Sequence, residues 1–313
     1  MGNGKVLVTG GCGFIGPYLC KKLMEMGKHV VSLDIIAGQS STADGPETVK
    51  GDIRDRDLIS GLLADVDTVY HLAGMTEFAD CRDDPRRAFD VNARGTTVML
   101  QEAVKHGVGN FVFFSSASVY SGNKEPAKHE GMKLTPNSIY SITKLMGERL
   151  CGDIGMKHGL PCASLRLFNV YGKRGRGVIN LFARALKADK HIVIYGDGNQ
   201  IRDYIHVDDV VKATIAIGER RLSGAYNIGT GNRCVLIELK KMMEEISGET
   251  FKVEWQPRRA WDLQEHIADT RKIKEILPTT IPLEDGLRAL LEGSREGDQG
   301  TRKSSLQALS GQP

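Results

Sequence analysis

The sequence predicts an α/β fold, a doubly wound parallel sheet with a smaller C-terminal α/β unit attached. Two observations predict it. Short apolar runs of strand length alternate with helix-length segments over the first half of the chain, and alternation at this spacing is best satisfied by a parallel sheet with helices on both faces. The first apolar run, Val6-Leu7-Val8, also leads directly into Thr9-Gly10-Gly11-Cys12-Gly13-Phe14-Ile15-Gly16. A strand, a glycine-rich turn and then a helix form the arrangement that holds a phosphate on helix N-terminal amides.

The expected strands are 5–9, 29–33, 67–72, 111–115 and 162–167, and the expected helices are 17–27, 55–64, 85–106 and 138–158. Gly10, Gly13 and Gly16 allow the tight turn, the close approach of a pyrophosphate and close helix packing, with Phe14 and Ile15 between them. The second strand ends at Asp34, where a carboxylate accepts hydrogen bonds from an adenosine ribose. No Arg or Lys follows closely, so a 2′-phosphate would be repelled and NAD is favoured over NADP. In such sheets ligands bind beyond the C-terminal strand ends. His71-Leu72-Ala73-Gly74 and Ser115-Ser116 fall there as well. Asp52-Ile53 could offer an adenine amino group a carboxylate and an apolar wall; a plain helix cap explains Asp52 equally well.

Tyr140 and Lys144 are four residues apart in a segment that reads as the start of a helix, so their side chains share a face. A free tyrosine titrates near 10, and work as a base near neutrality needs roughly 3–4 kcal/mol of preferential phenolate stabilisation. A nearby ammonium supplies part of that. Ser116 closes the apolar strand at 111–115, where its hydroxyl could meet the same substrate oxygen.

Beyond Arg166 the pattern changes. A Gly/Arg-rich loop at 171–177 precedes a helix at about 178–188, a strand at 192–195 and a turn at 196–199. Val207-Asp208-Asp209 opens a helix, Tyr226-Asn227-Ile228-Gly229 ends a strand, and 233–292 reads as mostly helical with one strand near 251–255. The expected division is a cofactor domain at 1–168 to which 201–231 returns, a substrate domain at 169–200 and 232–292, and a disordered tail at 293–313 rich in Gly, Ser, Gln and charge.

At 313 residues and 41% hydrophobic the chain can bury one large or two small cores. A net charge of +3 without a dense basic block gives no reason to expect nucleic acid. The six cysteines show no C-x-x-C spacing, so neither a disulfide framework nor a zinc site is suggested. No histidine pairs with an acid at ligand spacing, and no metal is expected. No apolar run reaches spanning length and the first strand leaves no room for a signal peptide, so the expectation is a cytoplasmic protein without membrane partners.

In combination these motifs resemble the extended short-chain dehydrogenase/reductases, in the family of NAD-dependent nucleotide-sugar epimerases and dehydratases, nearest to the UDP-hexose 4-epimerases. The resemblance is carried by TGGCGFIG, Asp34, Asp52-Ile53, HLAG at 71–74, Asn92, SSASVY at 115–120, YSITK at 140–144, LFNVYGKRG at 167–175, GDGNQIRDYIHVDDVV at 196–211 and YNIGTG at 226–231. It implies a Rossmann domain holding NAD, with Leu72, Ala73, Gly74 and Asn92 near the cofactor. It implies Tyr140 as base and acid at the sugar hydroxyl, Lys144 on the nicotinamide ribose and lowering the tyrosine pKa, and Ser116 sharing the hydroxyl hydrogen. Asn169 and Asn180 would contact the sugar-nucleotide, Arg202 and Arg259 the diphosphate, and Asp262 the uridine ribose. A homodimer built from the helices at 85–106 and 138–158 is implied, with Leu145, Leu150 and Ile154 as candidates for its face; the alternative is that they pack on the sheet.

The resemblance also separates reactions. Dehydratases of the family carry an Asp-Glu pair where this chain has Ala117 and Ser118, and decarboxylases carry a glutamate where it has Ser118. Without a carboxylate, elimination lacks an acid and base of suitable strength. The remaining set, Ser116, Tyr140 and Lys144, supports hydride transfer alone. The expectation is 4-epimerisation of a UDP-hexose, of glucose/galactose or glucuronate type, by transient oxidation at C4. A 4-ketoreductase, or an epimerase of a dTDP- or other NDP-sugar, is the alternative. A sensor or scaffold of the same shape would not need the tyrosine. His266 falls near the sugar C2 substituent and is of intermediate size, so N-acetyl sugars are neither admitted nor excluded.

Overall fold

The computed structural model describes residues 4–36, 45–258 and 263–292. Along the chain the first elements are β1 (Lys5–Thr9), α1 (Gly16–Glu25), β2 (His29–Asp34), β3 (Glu47–Lys50), α2 (Arg56–Leu62) and β4 (Val66–His71). Then come α3 (Phe78–Asp83), α4 (Pro85–Phe89), a π-helical turn (Asp90–Gly95), α5 (Thr96–Lys105), β5 (Asn110–Ser116), β6 (Ala127–Lys128), α6 (Ile139–His158) and β7 (Cys162–Leu167). The later part holds β8 (Asn169–Tyr171), α7 (Val178–Lys187), β9 (His191–Tyr195), β10 (Ile201–Arg202), β11 (Tyr204–His206), α8 (Val207–Glu219) and β12 (Gly224–Ile228). It closes with β13 (Cys234–Val235), α9 (Leu236–Ser247), β14 (Lys252–Gln256), β15 (Glu265–Ala268), α10 (Arg271–Lys274) and α11 (Leu283–Glu292).

Seven strands form one sheet in the order β12-β7-β5-β4-β1-β2-β3, and every pairing in it is parallel. This is the doubly wound order, with the reversal between β1 and β4. The central strands are buried almost throughout, Leu7, Val8, Phe111 and Val112 being wholly so, as expected of strands covered on both faces. One core joins the sheet to α1 and α8 through Leu19, Leu23, Val210 and Ile217; a second joins it to α2, α5 and α6 through Ile59, Met99, Phe111 and Cys151. A third packs Ile179, Phe182, Ile194, Leu239, Met243 and Leu287 away from the sheet.

Register sets the site. Thr9 is opposite both Leu33 and His71, and His71 is opposite Phe113. The residues that follow, Gly10, Asp34, Leu72 and Phe114, therefore emerge together along one edge.

Three expectations need correction. The segment at 85–106 is not one helix: it is α4, the π-helical turn and α5. Residues 233–292 hold β15 and the short β13 as well as β14. An additional edge strand, β3, extends the sheet beyond β2. Leu150 and Ile154 pack on the core between sheet and helices, and Leu145 packs against the cluster of Val119, Tyr120 and Phe168. Leu145 and Leu150 also line a surface groove of about 1050 Å³ with Arg86, Met146 and Asp153. The tail from 293, Arg259 and Asp262 lie outside the described residues.

Candidate active site

A cleft of about 790 Å³ runs along the C-terminal strand edge. Its walls include Gly10, Gly13, Phe14, Ile15, Gly16, Asp34, Asp52, Ile53, Leu72, Ala73, Gly74, Ser116, Tyr140 and Lys144, so residues scattered over the first half of the sequence meet in one place.

The glycine turn is built for contact. Gly10 has φ +72°, and a Cβ there would lie 2.8 Å from the Ala73 nitrogen; one on Gly16 would lie 2.4 Å from the Gly10 carbonyl. Both are demanded by the protein's own packing. Gly13 differs: a Cβ there would meet only the Gly10 carbonyl, at 3.2 Å, and otherwise open cleft. Its missing side chain leaves room for an approaching group, as a pyrophosphate requires. Asp34 accepts from the Cys12 amide at 2.9 Å and the Ile36 amide at 3.1 Å, which fixes its carboxylate at the end of β2. These residues fit an adenosine dinucleotide.

The floor is a hydrogen-bonded relay. The Ala73 amide donates to Thr9 Oγ1 at 3.1 Å, and Thr9 pairs with His71 Nδ1 at 2.7 Å. His71 Nε2 pairs with Thr96 Oγ1 at 3.0 Å, and that hydroxyl donates to the Asn92 carbonyl at 2.7 Å. Thr96 spends its single proton on the Asn92 carbonyl, so Nε2 carries a hydrogen, and in the neutral ring Nδ1 accepts from Thr9. Burial agrees, pulling His71 down to about 3. Asn92 sits in the π-helical turn. Its side chain accepts from the Met75 amide at 2.7 Å and donates to the Met75 carbonyl and to Thr143 Oγ1, both at 2.9 Å. It thus clamps the loop after Gly74 to helix α6 beside Lys144.

Helix α6 begins with a reciprocal cap: the Ser141 amide donates to Ser138 Oγ at 3.1 Å, and the Ser138 amide to Ser141 Oγ at 2.9 Å. That cap sets the first turn and with it Tyr140. The Tyr140 ring is buried and meets Phe78 edge-on at 5.0 Å. Lys144 Nζ donates to the Phe114 carbonyl at 2.8 Å and lies 6.0 Å from the Tyr140 ring centre. The expected lowering of the tyrosine pKa is not produced by the protein's own groups. Burial pushes the phenol up to about 12, a hydrogen bond from Ser116 offsets part of this, and Cys81 and Glu77 add to the rise. Burial pulls the Lys144 ammonium down to about 8.

Behind this face lies a polar cluster that the motifs did not single out. Arg166 Nη2 donates to Glu148 Oε2 at 2.7 Å, with both side chains buried. Ser115 Oγ donates to Glu148 Oε1 at 2.5 Å, and Arg166 Nη1 to the Tyr120 hydroxyl at 2.6 Å. Tyr140, Lys144 and Glu148 recur every four residues, and that one-face spacing is the signal that could have found Glu148.

The residues expected to meet the sugar-nucleotide lie toward the C-terminal unit. Asn169 Nδ2 donates to the Asp203 carbonyl at 2.9 Å, and Asn180 Nδ2 to the Gly172 carbonyl at 2.6 Å. Asn180 Oδ1 is buried with no protein partner, an acceptor ready for a donor. Arg202 Nη1 donates to the carbonyls of Ile201 and Leu263, both at 2.9 Å. Its position on β10 is opposite His266 on β15. No helix among the described residues is long and apolar enough to cross a membrane.

The seven-stranded parallel order, the glycine turn and the acid at the end of β2 together define a dinucleotide-binding α/β fold. The model of the NAD dependent epimerase/dehydratase family matches residues 6–229, and the chain belongs to that family. It is 33% identical to a UDP-glucose 4-epimerase of Mycolicibacterium smegmatis, over 94% of this chain and 100% of that one. It is 34% identical to an uncharacterized UDP-glucose epimerase of Bacillus subtilis, over 90% and 95%. Among solved structures, UDP-glucose 4-epimerase of Thermotoga maritima with UDP-glucose superposes with a TM-score of 0.86 at 31% identity, covering 93% of this chain and 98% of that one. MoeE5 in complex with UDP-glucuronic acid and NAD gives a TM-score of 0.86 at 31% identity, covering 93% and 99%.

Proposed function

We propose that this chain is an NAD-dependent 4-epimerase of a UDP-hexose, of the glucose/galactose or glucuronate type. The observation that carries the reading is the convergence of Ser116, Tyr140 and Lys144 on the wall that also holds the glycine turn, with Ala117 and Ser118 in place of carboxylates. Tyr140 as phenolate accepts the O4 proton during C4 oxidation and returns it afterwards. Ser116 shares that hydrogen and holds the oxygen in line. Lys144 orients the nicotinamide ribose and contributes positive charge. NAD held on this wall would supply the hydride acceptor and donor at C4, with no external reductant, and its cationic oxidised ring would favour the phenolate. Bringing Tyr140 from about 12 to near 8 requires about 5 kcal/mol of preferential phenolate stabilisation.

Asn169, Asn180 and Arg202, together with Arg259 and Asp262, are assigned to the nucleotide-sugar. The division into a cofactor unit (1–168 with 201–231) and a sugar-nucleotide unit (169–200 with 232–292) belongs to the same reading. It is supported by the return of β12 to the main sheet and by the separate core around Phe182 and Leu239. A homodimer would seat the groove between α4, α5 and α6 of one copy against the other.

The test is a panel of UDP-glucose, UDP-galactose, UDP-glucuronate and the two UDP-N-acetylhexosamines, incubated with the protein without added cofactor and followed by NMR. Interconversion of C4 epimers is the expected result and names the sugar. Conversion only when reduced cofactor and a keto sugar are supplied would replace epimerisation with ketoreduction.

A further inference from the structure

The turn after β3 places Asp52 on the cofactor cleft and surrounds it with a single residue. Arg54 reaches Asp52 three times: its amide and its Nε donate to Oδ1, both at 2.9 Å, and its Nη2 donates to Oδ2 at 2.6 Å. The remaining arm, Nη1, donates to Asp90 Oδ2 in the π-helical turn, and Asp90 Oδ1 is held in turn by Arg94 at 2.9 Å. The same π-helical turn carries Asn92, which clamps the loop after Gly74 to α6. A second observation joins the two segments. A Cβ on Gly95 would lie 2.6 Å from Ile53 Cδ1 and 3.6 Å from Arg54 Cγ, so the bare Gly95 is what lets Ile53-Arg54 lie on that turn.

We propose that Arg54 is a positioning residue for the adenine ring, locking the Asp52 carboxylate toward the ring's amino group and tying it to the π-helical turn. The role rests on the NAD reading above. A carboxylate has about four acceptor sites. With three taken by Arg54, one direction is left for an N–H donor, and an otherwise half-exposed side chain cannot swing away. Ion pairing keeps the carboxyl ionised, since Arg54 holds Asp52 below the usual carboxylate range. Adenine offers an amino donor at this position, whereas hypoxanthine offers a carbonyl acceptor that a fixed carboxylate repels. Arg54 therefore acts on base selectivity through Asp52 and not by touching the ring.

The experiment is a competition on the full chain as purified. Protein is exchanged against an equal mixture of NAD and nicotinamide hypoxanthine dinucleotide, separated from free ligand, and the bound ratio is read by chromatography. Wild type is expected to retain NAD in preference by about tenfold, the worth of one charge-assisted hydrogen bond. Asp52→Ala should abolish the preference, Arg54→Ala should remove most of it, and Arg54→Lys should restore part. Asp52→Ala combined with Arg54→Ala should be no worse than Asp52→Ala alone, because both act on one contact. Should Arg54→Ala fail to fold, Asp90→Asn weakens the far arm together with the Arg94 pair, leaves the three Arg54–Asp52 bonds in place, and should lower the preference by about twofold to threefold. An Arg54→Ala protein that keeps the full preference, or one that loses both dinucleotides equally, overturns the proposal while leaving the cofactor reading intact. A wild-type chain that takes up neither dinucleotide overturns the cofactor reading and this proposal with it.

Discussion

Lys144 is charged and buried and donates to the Phe114 carbonyl rather than to a carboxylate, and its replacement by methionine should stabilise the protein while destroying turnover. The side chain is 3% exposed, and burial lowers its pKa from 10.5 to about 8. At pH 7 the folded state therefore carries a penalty of about 3 kcal/mol relative to a lysine that titrates normally. Methionine has a similar length and no charge, so it removes the penalty. It also leaves the Phe114 carbonyl without the 2.8 Å bond it now accepts, a loss of about 1 kcal/mol. The net gain is about 2 kcal/mol, or about 4 °C in Tm for a chain of this size. The sign with pH follows from the folded value lying below the unfolded one. The wild-type penalty is complete below about 8 and fades as pH rises toward 10.5, where both states are neutral. Calorimetry on dinucleotide-free wild-type and Lys144→Met protein from pH 7 to 10.5 checks this, since bound ligand would add stabilisation of its own. A variant that melts below wild type at pH 7, or an advantage that does not shrink with rising pH, would refute the reasoning.

Tyr140→Phe should lower turnover by about 10³-fold or more, the scale of a lost general base, while the purified protein still carries dinucleotide; near-wild-type turnover would remove Tyr140 as the base. Arg166→Met should cost about 3–5 kcal/mol in urea unfolding because Glu148 is then buried unpaired. Changing both Arg166 and Glu148 to Met should recover much of that loss, and a double variant as unstable as the single one would count against the pairing. Gly16→Ala should strip the protein of dinucleotide, since its Cβ would press on the Gly10 carbonyl and on Gly11 Cα at 2.6 Å, both backbone. Full dinucleotide content in that variant would show that the turn can yield.

What the sequence makes legible here is chemistry that needs only neighbours in the chain. The glycine turn, Asp34 and the Tyr140–Lys144 spacing can be read directly, because a turn needs φ freedom within a few residues and a helix face needs only i,i+4. Each was found on the same cleft. The break at 90–95 was not legible, since the apolar periodicity of 85–106 continues through it and the partners Asn92 meets there, Met75 and Thr143, lie far away in sequence. Strand β15 escaped for a related reason: Glu-His-Ile-Ala is short and has its partners on β10 and β6, far away in sequence.

The tyrosine pKa shows most clearly where local reading stops. From Tyr140 and Lys144 alone a lowered value follows, because spacing reveals an ammonium on the same face and says nothing of burial. In the folded chain burial is the larger effect on both residues, and it pushes them toward their neutral forms from opposite sides, to about 12 and about 8. For Tyr140 to serve as the base proposed above, a cationic nicotinamide held beside the phenol would have to offset that burial, so a charge that the Tyr140–Lys144 spacing does not contain would set the tyrosine's protonation state.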